Sequence, residues 1–181
     1  MNSPYENRMV ASWDAITQQL LNKHPLTEDE IVEIVLDAWD SIMQTKIGGK
    51  LQIGVDVFPS PQNMGNYLHM LIPAILAERY PGIWRGEIDK SDKDIVYIPD
   101  DTYSIEIKTS SQNSIYGNRS YGQENSDNNS GKQKFGFYLA VNFEKFTPTN
   151  THPRIKRIKF GWLDHSDWKA QAAATGQNST L

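Results

Sequence analysis

The stretch DKDIVYIPDDTYSIEIKTSS, residues 92–111, decides how this chain folds. Two runs rich in β-branched and aromatic residues, 94–98 and 103–108, flank the turn-formers Pro99, Asp100, Asp101 and Thr102, a pattern that reads as a β-hairpin. Side chains alternate along a strand, so Ile105 and Ile107 point to one face while Ser104, Glu106 and Lys108 point to the other. Antiparallel partners have residue numbers of constant sum, and an odd-length loop centred on Asp100 sets Asp94 opposite Glu106. Carboxylates with Cβ atoms about 5 Å apart repel each other unless a cation sits between them. Asp94 and Glu106 are therefore candidate ligands of Mg²⁺, whose roughly six oxygen ligands at about 2.0–2.1 Å leave places for water and substrate oxygens. Lys108, one pleat further, is placed to orient or help deprotonate an attacking water, or to offset charge developing on phosphorus.

Working outward, the residues before the hairpin read as helices. Val10, Trp13, Ile16 and Leu20 recur at helical spacing within residues 3–22, until Lys23, His24 and Pro25 interrupt the run. Thr27 and Glu30 form a capping box, Ile31, Ile34, Val35, Ala38 and Ile42 follow on one face, and Gly48 and Gly49 end the run after Lys46. A short apolar segment, 51–58, leads to a third helix over residues 62–79, which Pro73 should bend. Beyond the hairpin, residues 110–133 are a polar segment, 135–143 (FGFYLAVNF) a central strand, and 154–163 (RIKRIKFGWL) a strand of partly alternating basic and apolar residues. A last helix over 166–174 precedes a frayed tail. The expected fold is mixed α/β: one domain over residues 1–181, with N-terminal helices in 1–50 and a core in 51–175.

Composition narrows the function. The 181 residues include no cysteine, which excludes disulfides, thiolate metal sites and thiol nucleophiles. No window approaches about eighteen consecutive apolar residues and the N-terminus lacks a secretion signal, so a cytoplasmic protein away from any membrane is expected. The net charge of −4 conceals a division: residues 1–101 hold 8 Lys plus Arg against 16 Asp plus Glu, residues 102–181 hold 10 against 6. A local basic surface in the second half can meet phosphates. The histidines, His24, His69, His152 and His165, match neither a zinc pair nor a His-based nuclease site and read as capping or satisfied polar groups.

Asp94 followed by Glu106-Ile107-Lys108 resembles the active-site signature of the PD-(D/E)XK nucleases, in which a mixed sheet is flanked by helices. The literal Pro99-Asp100 is a poor first half of that signature, because Asp100 sits at the turn, too far from Glu106 to share an ion. Asp89 and Asp92 are weaker substitutes for Asp94, and Glu78 is a candidate fourth acid. The run 92–111, with IYGNRSYGQ (115–123), FGFYLAVNF (135–143) and GWLDHSDWKAQ (161–171), is similar to the ScaI-type restriction endonucleases within that superfamily. The resemblance implies sequence-specific cleavage of double-stranded DNA with Mg²⁺, and Asp94, Glu106 and Lys108 in the catalytic roles.

Residues 109–134 begin where the catalytic strand ends, and they hold amide, hydroxyl and guanidinium groups of the kind that read base edges. Ser110, Asn113, Asn118, Arg119, Tyr121 and Gln123 are the candidate DNA contacts; 124–131 has a disorder-like composition. Lys156, Arg157 and Lys159 suit phosphates or solvent. Hydrolysis should leave 5′-phosphate and 3′-hydroxyl ends. Palindromic sites call for a homodimer, with the helices of residues 3–46 as its contact, and a cognate methyltransferase is a possible partner. The competing readings are a repair nuclease or junction resolvase of the same fold, and a non-catalytic binding or inhibitor protein.

Overall fold

The computed structural model describes residues 3–118, 121, 134–170 and 178–180. Helix α1 (Trp13–Lys23) starts ten residues later than the apolar spacing suggests, after turns and a 3-10 turn at Val10–Ser12, and it ends at His24 before Pro25. Helix α2 (Glu28–Gln44) opens with the expected capping box: Thr27 Oγ1 accepts from Glu30 N at 3.3 Å, and Glu30 Oε2 accepts from Thr27 N at 2.8 Å. Glu28, Asp29 and Glu30 in its first turn complement the helix dipole. Its buried stripe, Ile31, Ile34, Val35, Ala38, Trp39 and Ile42, contributes about 2 kcal/mol per large apolar side chain.

The helix stops at Gln44, short of the expected Gly48 and Gly49. Those glycines, both at positive φ, instead turn a small ribbon of β1 (Lys46–Ile47) and β2 (Leu51–Gln52). Helix α3 (Pro61–Arg79) is capped by Ser60, whose Oγ accepts from Asn63 N, and it carries Pro73 inside. Its stripe of Met64, Leu68, Ile72 and Leu76 faces the core.

Five strands form the central sheet in the order β3 (Trp84–Gly86), β4 (Ile95–Tyr97), β5 (Ile105–Ser110), β7 (Gly136–Phe143), β8 (Ile155–Leu163). The β5–β7 pair is parallel and the others antiparallel, which makes the sheet mixed. The hairpin has the expected register, Ile95 opposite Ile105, with a 3-10 turn at Asp101–Tyr103 between its strands. Ser104 locks it: the Oγ accepts from Tyr97 N and donates to Asp101 Oδ1. Every residue of β7 is buried, as its continuous apolar run requires of a central strand. Strand β8 lies at the edge and exposes Lys156, Arg157 and Lys159, a placement that discourages edge-to-edge pairing.

The expected helix over 166–174 is not formed in its described part, residues 166–170. A 3-10 turn at His165–Asp167 leads into β9 (Lys169–Ala170), and residues 171–177 lie outside the described residues. Strand β10 (Asn178–Thr180) stands where a frayed tail was expected, between β9 and β6 (Tyr116–Asn118) in a second, three-stranded sheet. Tertiary packing overrides the local pattern here, because Trp168 is buried against Ile115, Tyr138 and Ala140.

Period-2 alternation then divides the two faces of the main sheet. Ile105, Ile107, Phe137, Leu139, Val141 and Phe143 join α2 and α3 in the main core. Glu106 and Lys108, in register with Tyr138 and Ala140, lie on the opposite face beside the small cluster around Trp168.

Candidate active site

Strand β5 supplies Glu106 and Lys108 on one face, and β4 brings Asp94 to them. Strand β4 begins at Ile95, so residue 94 lies just beyond the ladder, and the Ile107 N–H donates to Asp94 Oδ2 at 2.6 Å. The Asp94 carboxylate is thereby fixed on the residue between Glu106 and Lys108. Lys108 Nζ donates to Glu106 Oε1 at 2.6 Å, with side-chain exposures of 13% and 3%. Burying such a pair is costly and rarely retained for stability alone. Tyr121 closes the group: its hydroxyl donates to Glu106 Oε1 at 2.5 Å and accepts from Lys108 Nζ at 3.1 Å. Burial, then the charge of Glu106, pushes the Tyr121 phenol well above its ordinary range, and the same causes raise Tyr138. Both phenols therefore remain protonated at neutral pH.

Two neighbours carried no signal as site residues in the sequence. His69 Nδ1 lies 3.7 Å from Asp94 Oδ2. Residue 69 flanks the buried stripe of Gly65, Leu68 and Ile72, a helical phase that sets it near the sheet but names no partner for it. Gly65 lets α3 approach β5 closely, since a Cβ there would meet Thr109 Oγ1 at 2.6 Å. Lys93 is buried, donates to Phe135 O at 2.8 Å and stands 5.5 Å from the Tyr138 ring centroid.

The other acids are not brought to this group. Asp92 Oδ2 accepts from Arg85 Nη1 at 2.7 Å, Ile88 N and Asp89 N, which clips the turn before β4 and holds its carboxyl well below the usual range, Arg85 chief among the causes. Asp100 is exposed and caps the 3-10 turn through Thr102 N, in keeping with its rejection on spacing. Glu78 is exposed, about 13 Å along α3 from His69 at the usual helical rise.

The expected DNA contacts have separate settings. Ser110 is buried and its Oγ accepts from Gln112 N. Asn113 is exposed and its Oδ1 accepts from Lys156 Nζ at 3.1 Å, which joins an amide and a basic group at the end of β5. Asn118 is exposed at the end of β6, while Tyr121 turns inward. Arg119 and Gln123 lie outside the described residues.

Among the described residues, no group of three or more His, Asp or Glu side chains is gathered for a metal ion. Two hard carboxylates nevertheless suit Mg²⁺, which binds through one or two carboxylates and retains water and substrate oxygens, and they do not suit a structural zinc site.

Comparison with known proteins gives two matches. A family model described as ScaI restriction endonuclease matches residues 3–181. The type II restriction enzyme ScaI of Streptomyces caespitosus is 47% identical over 182 residues, spanning 99% of this chain and 79% of that protein. No solved structure matches.

Proposed function

This chain belongs to the ScaI restriction endonuclease family, and we propose that Asp94, Glu106 and Lys108 perform its cleavage of double-stranded DNA. It is a site-specific type II deoxyribonuclease whose family chemistry uses a divalent metal, and the ion we assign is Mg²⁺, held by Asp94 and Glu106. When bound, it supplies charge neutralisation at phosphate and at the departing oxygen. Lys108, anchored on Glu106, orients the attacking water and offsets charge on the phosphoryl oxygens. In-line attack would leave 5′-phosphate and 3′-hydroxyl ends. The observation that carries this reading is the pair of 2.6 Å contacts, Ile107 N to Asp94 and Lys108 to Glu106, which hold two carboxylates and one ammonium on adjacent strands.

The DNA-reading role stays with residues 109–134. Exposed Asn113 beside Lys156 supports it most directly, while buried Ser110 supports it by shaping the turn. A palindromic site would be read by a homodimer. The half-exposed Val32 and Leu36 on the outer face of α2 support an interface within residues 1–50, the inner face being taken by the core. No helix among the described residues is long and apolar enough to cross a membrane. A cytoplasmic enzyme with a methyltransferase protecting the same site completes the proposal.

The test is digestion of phage DNA in MgCl₂, with EDTA and the Glu106→Ala and Lys108→Ala variants as controls. Discrete fragments with ligatable ends, lost in all three controls, are expected. A smear would refute sequence specificity, and cutting by the folded variants would refute the assignment of the site.

A further inference from the structure

We propose that Tyr121 is a positioning residue of the cleavage site: its hydroxyl fixes the Glu106 carboxylate and the Lys108 ammonium together, and it does not read a base. The inference rests on the proposed catalytic role of that pair.

The hydroxyl is used twice, as donor to Glu106 Oε1 at 2.5 Å and as acceptor from Lys108 Nζ at 3.1 Å. The ammonium also stands 4.6 Å from the centroid of the tyrosine ring, within reach of a cation–π attraction. A lysine has four rotatable side-chain bonds and a carboxylate turns about its last one, so two charged groups alone leave each other's orientation loose. A rigid ring with one hydroxyl removes that freedom.

The ring is itself held. Its centroid lies 5.1 Å from that of Trp168, which is buried in the small cluster. Gly117 in β6 lets both rings approach, since a Cβ there would be 3.0 Å from Trp168 and 3.2 Å from Tyr121. The second sheet thus acts as a shelf that aims Tyr121 at the site. With its one proton committed to Glu106, the tyrosine hydroxyl has no donor left for a base edge.

Tyr121→Phe in the full-length protein is the test, measured against wild type, Glu106→Ala and Lys108→Ala. Loss of a group that orients a metal ligand costs about 10–100-fold in activity or metal affinity. The expected result is a fall of about that size in kcat on a duplex carrying a mapped cleavage site, with KM for DNA unchanged. Mn²⁺ affinity, titrated into the protein by electron paramagnetic resonance, should fall by about tenfold. A purely structural role would lower the melting temperature while leaving Mn²⁺ affinity and kcat intact, and that result would overturn the proposal. So would a raised KM at unchanged kcat, which is the mark of a DNA reader, or faster cutting, which is the mark of a plug. If Glu106→Ala and Lys108→Ala still cut, the site assignment itself fails; if they are inactive and Tyr121→Phe equals wild type in every readout, this inference alone fails.

Discussion

Lys108→Met, measured as a loss of stability before any DNA is added, tests whether the site is held together by a desolvated ion pair. The methionine keeps most of the length of the side chain and removes the charge. Glu106 then retains a buried carboxylate, 3% exposed, whose cation at 2.6 Å is gone. Breaking such a pair costs about 3–5 kcal/mol. The hydrogen bond from the Tyr121 hydroxyl survives in the variant and keeps the carboxylate from being wholly unsatisfied, which sets the loss at the low end of that range. The net loss is about 3 kcal/mol, which in a chain of this size lowers the melting temperature by roughly 6–12 °C. Thermal unfolding in EDTA at fixed pH reads the change. The double variant Glu106→Gln, Lys108→Met should recover most of it, because neither charge is left stranded, and the coupling from the four-member cycle should be about 2 kcal/mol. A Lys108→Met protein that melts with wild type, together with an additive cycle, would show the pair to be solvated and would remove the argument that burial here serves chemistry.

Three further perturbations separate structural groups from the site. His24 is buried, contacts Tyr103 O through Nε2 and accepts from Leu26 N through Nδ1; burial holds its pKa below the ordinary 6.5. The unfolded chain therefore binds that proton more readily, and stability should fall as pH drops below about 6.5. Urea midpoints at pH 7.5 and 5.5 should show that slope in wild type and lose it in His24→Gln; an equal slope in both refutes the assignment. Gly136→Ala should lose about 2 kcal/mol in urea unfolding, because the residue has φ +125° and its Cβ would meet Lys93 Nζ at 2.6 Å. Asp92→Asn should retain cleavage while Asp94→Asn does not. Its stability loss, about 1–2 kcal/mol, should shrink as pH falls below about 4, since the depressed pKa of Asp92 contributes only above the pKa of the unfolded chain; a shift in Mg²⁺ dependence would refute the structural role.

The parts of the fold legible in the sequence were those decided locally or by strict alternation. The Thr27–Glu30 capping box lies within four residues, and the Ile95–Ile105 register follows from the parity of one loop. Residues 135–143 had to be central because both of their faces are apolar, and the structure buries all of β7. Segments whose partners are distant in sequence were not legible. The region after Leu163 has a helix-like composition, yet Lys169–Ala170 pairs with Asn178–Thr180, which pairs in turn with Tyr116–Asn118 some sixty residues earlier. Gly48 and Gly49 were recognised as punctuation but assigned to the wrong element, since a glycine pair serves a helix end and a ribbon turn equally well.

The same distinction governs the site. Asp94, Glu106 and Lys108 share one hairpin, so alternation and register place them together before any coordinates exist. His69 and Tyr121 reach the group from α3 and from beyond β6, and no periodicity within either segment points toward Asp94 or Glu106. Tyr121 was legible only as a candidate for contact with DNA. Its partner was not, because a base edge and a buried carboxylate call on the same hydroxyl. What separates the two is desolvation: Glu106 lies on the covered face of a central strand, where each missing hydrogen bond is expensive, whereas a base-reading group must wait in water for its ligand. Residues that complete a buried charge are therefore fixed before DNA arrives, which among the polar candidates of residues 109–134 sets Tyr121, bound to Glu106, apart from exposed Asn113, bound to Lys156.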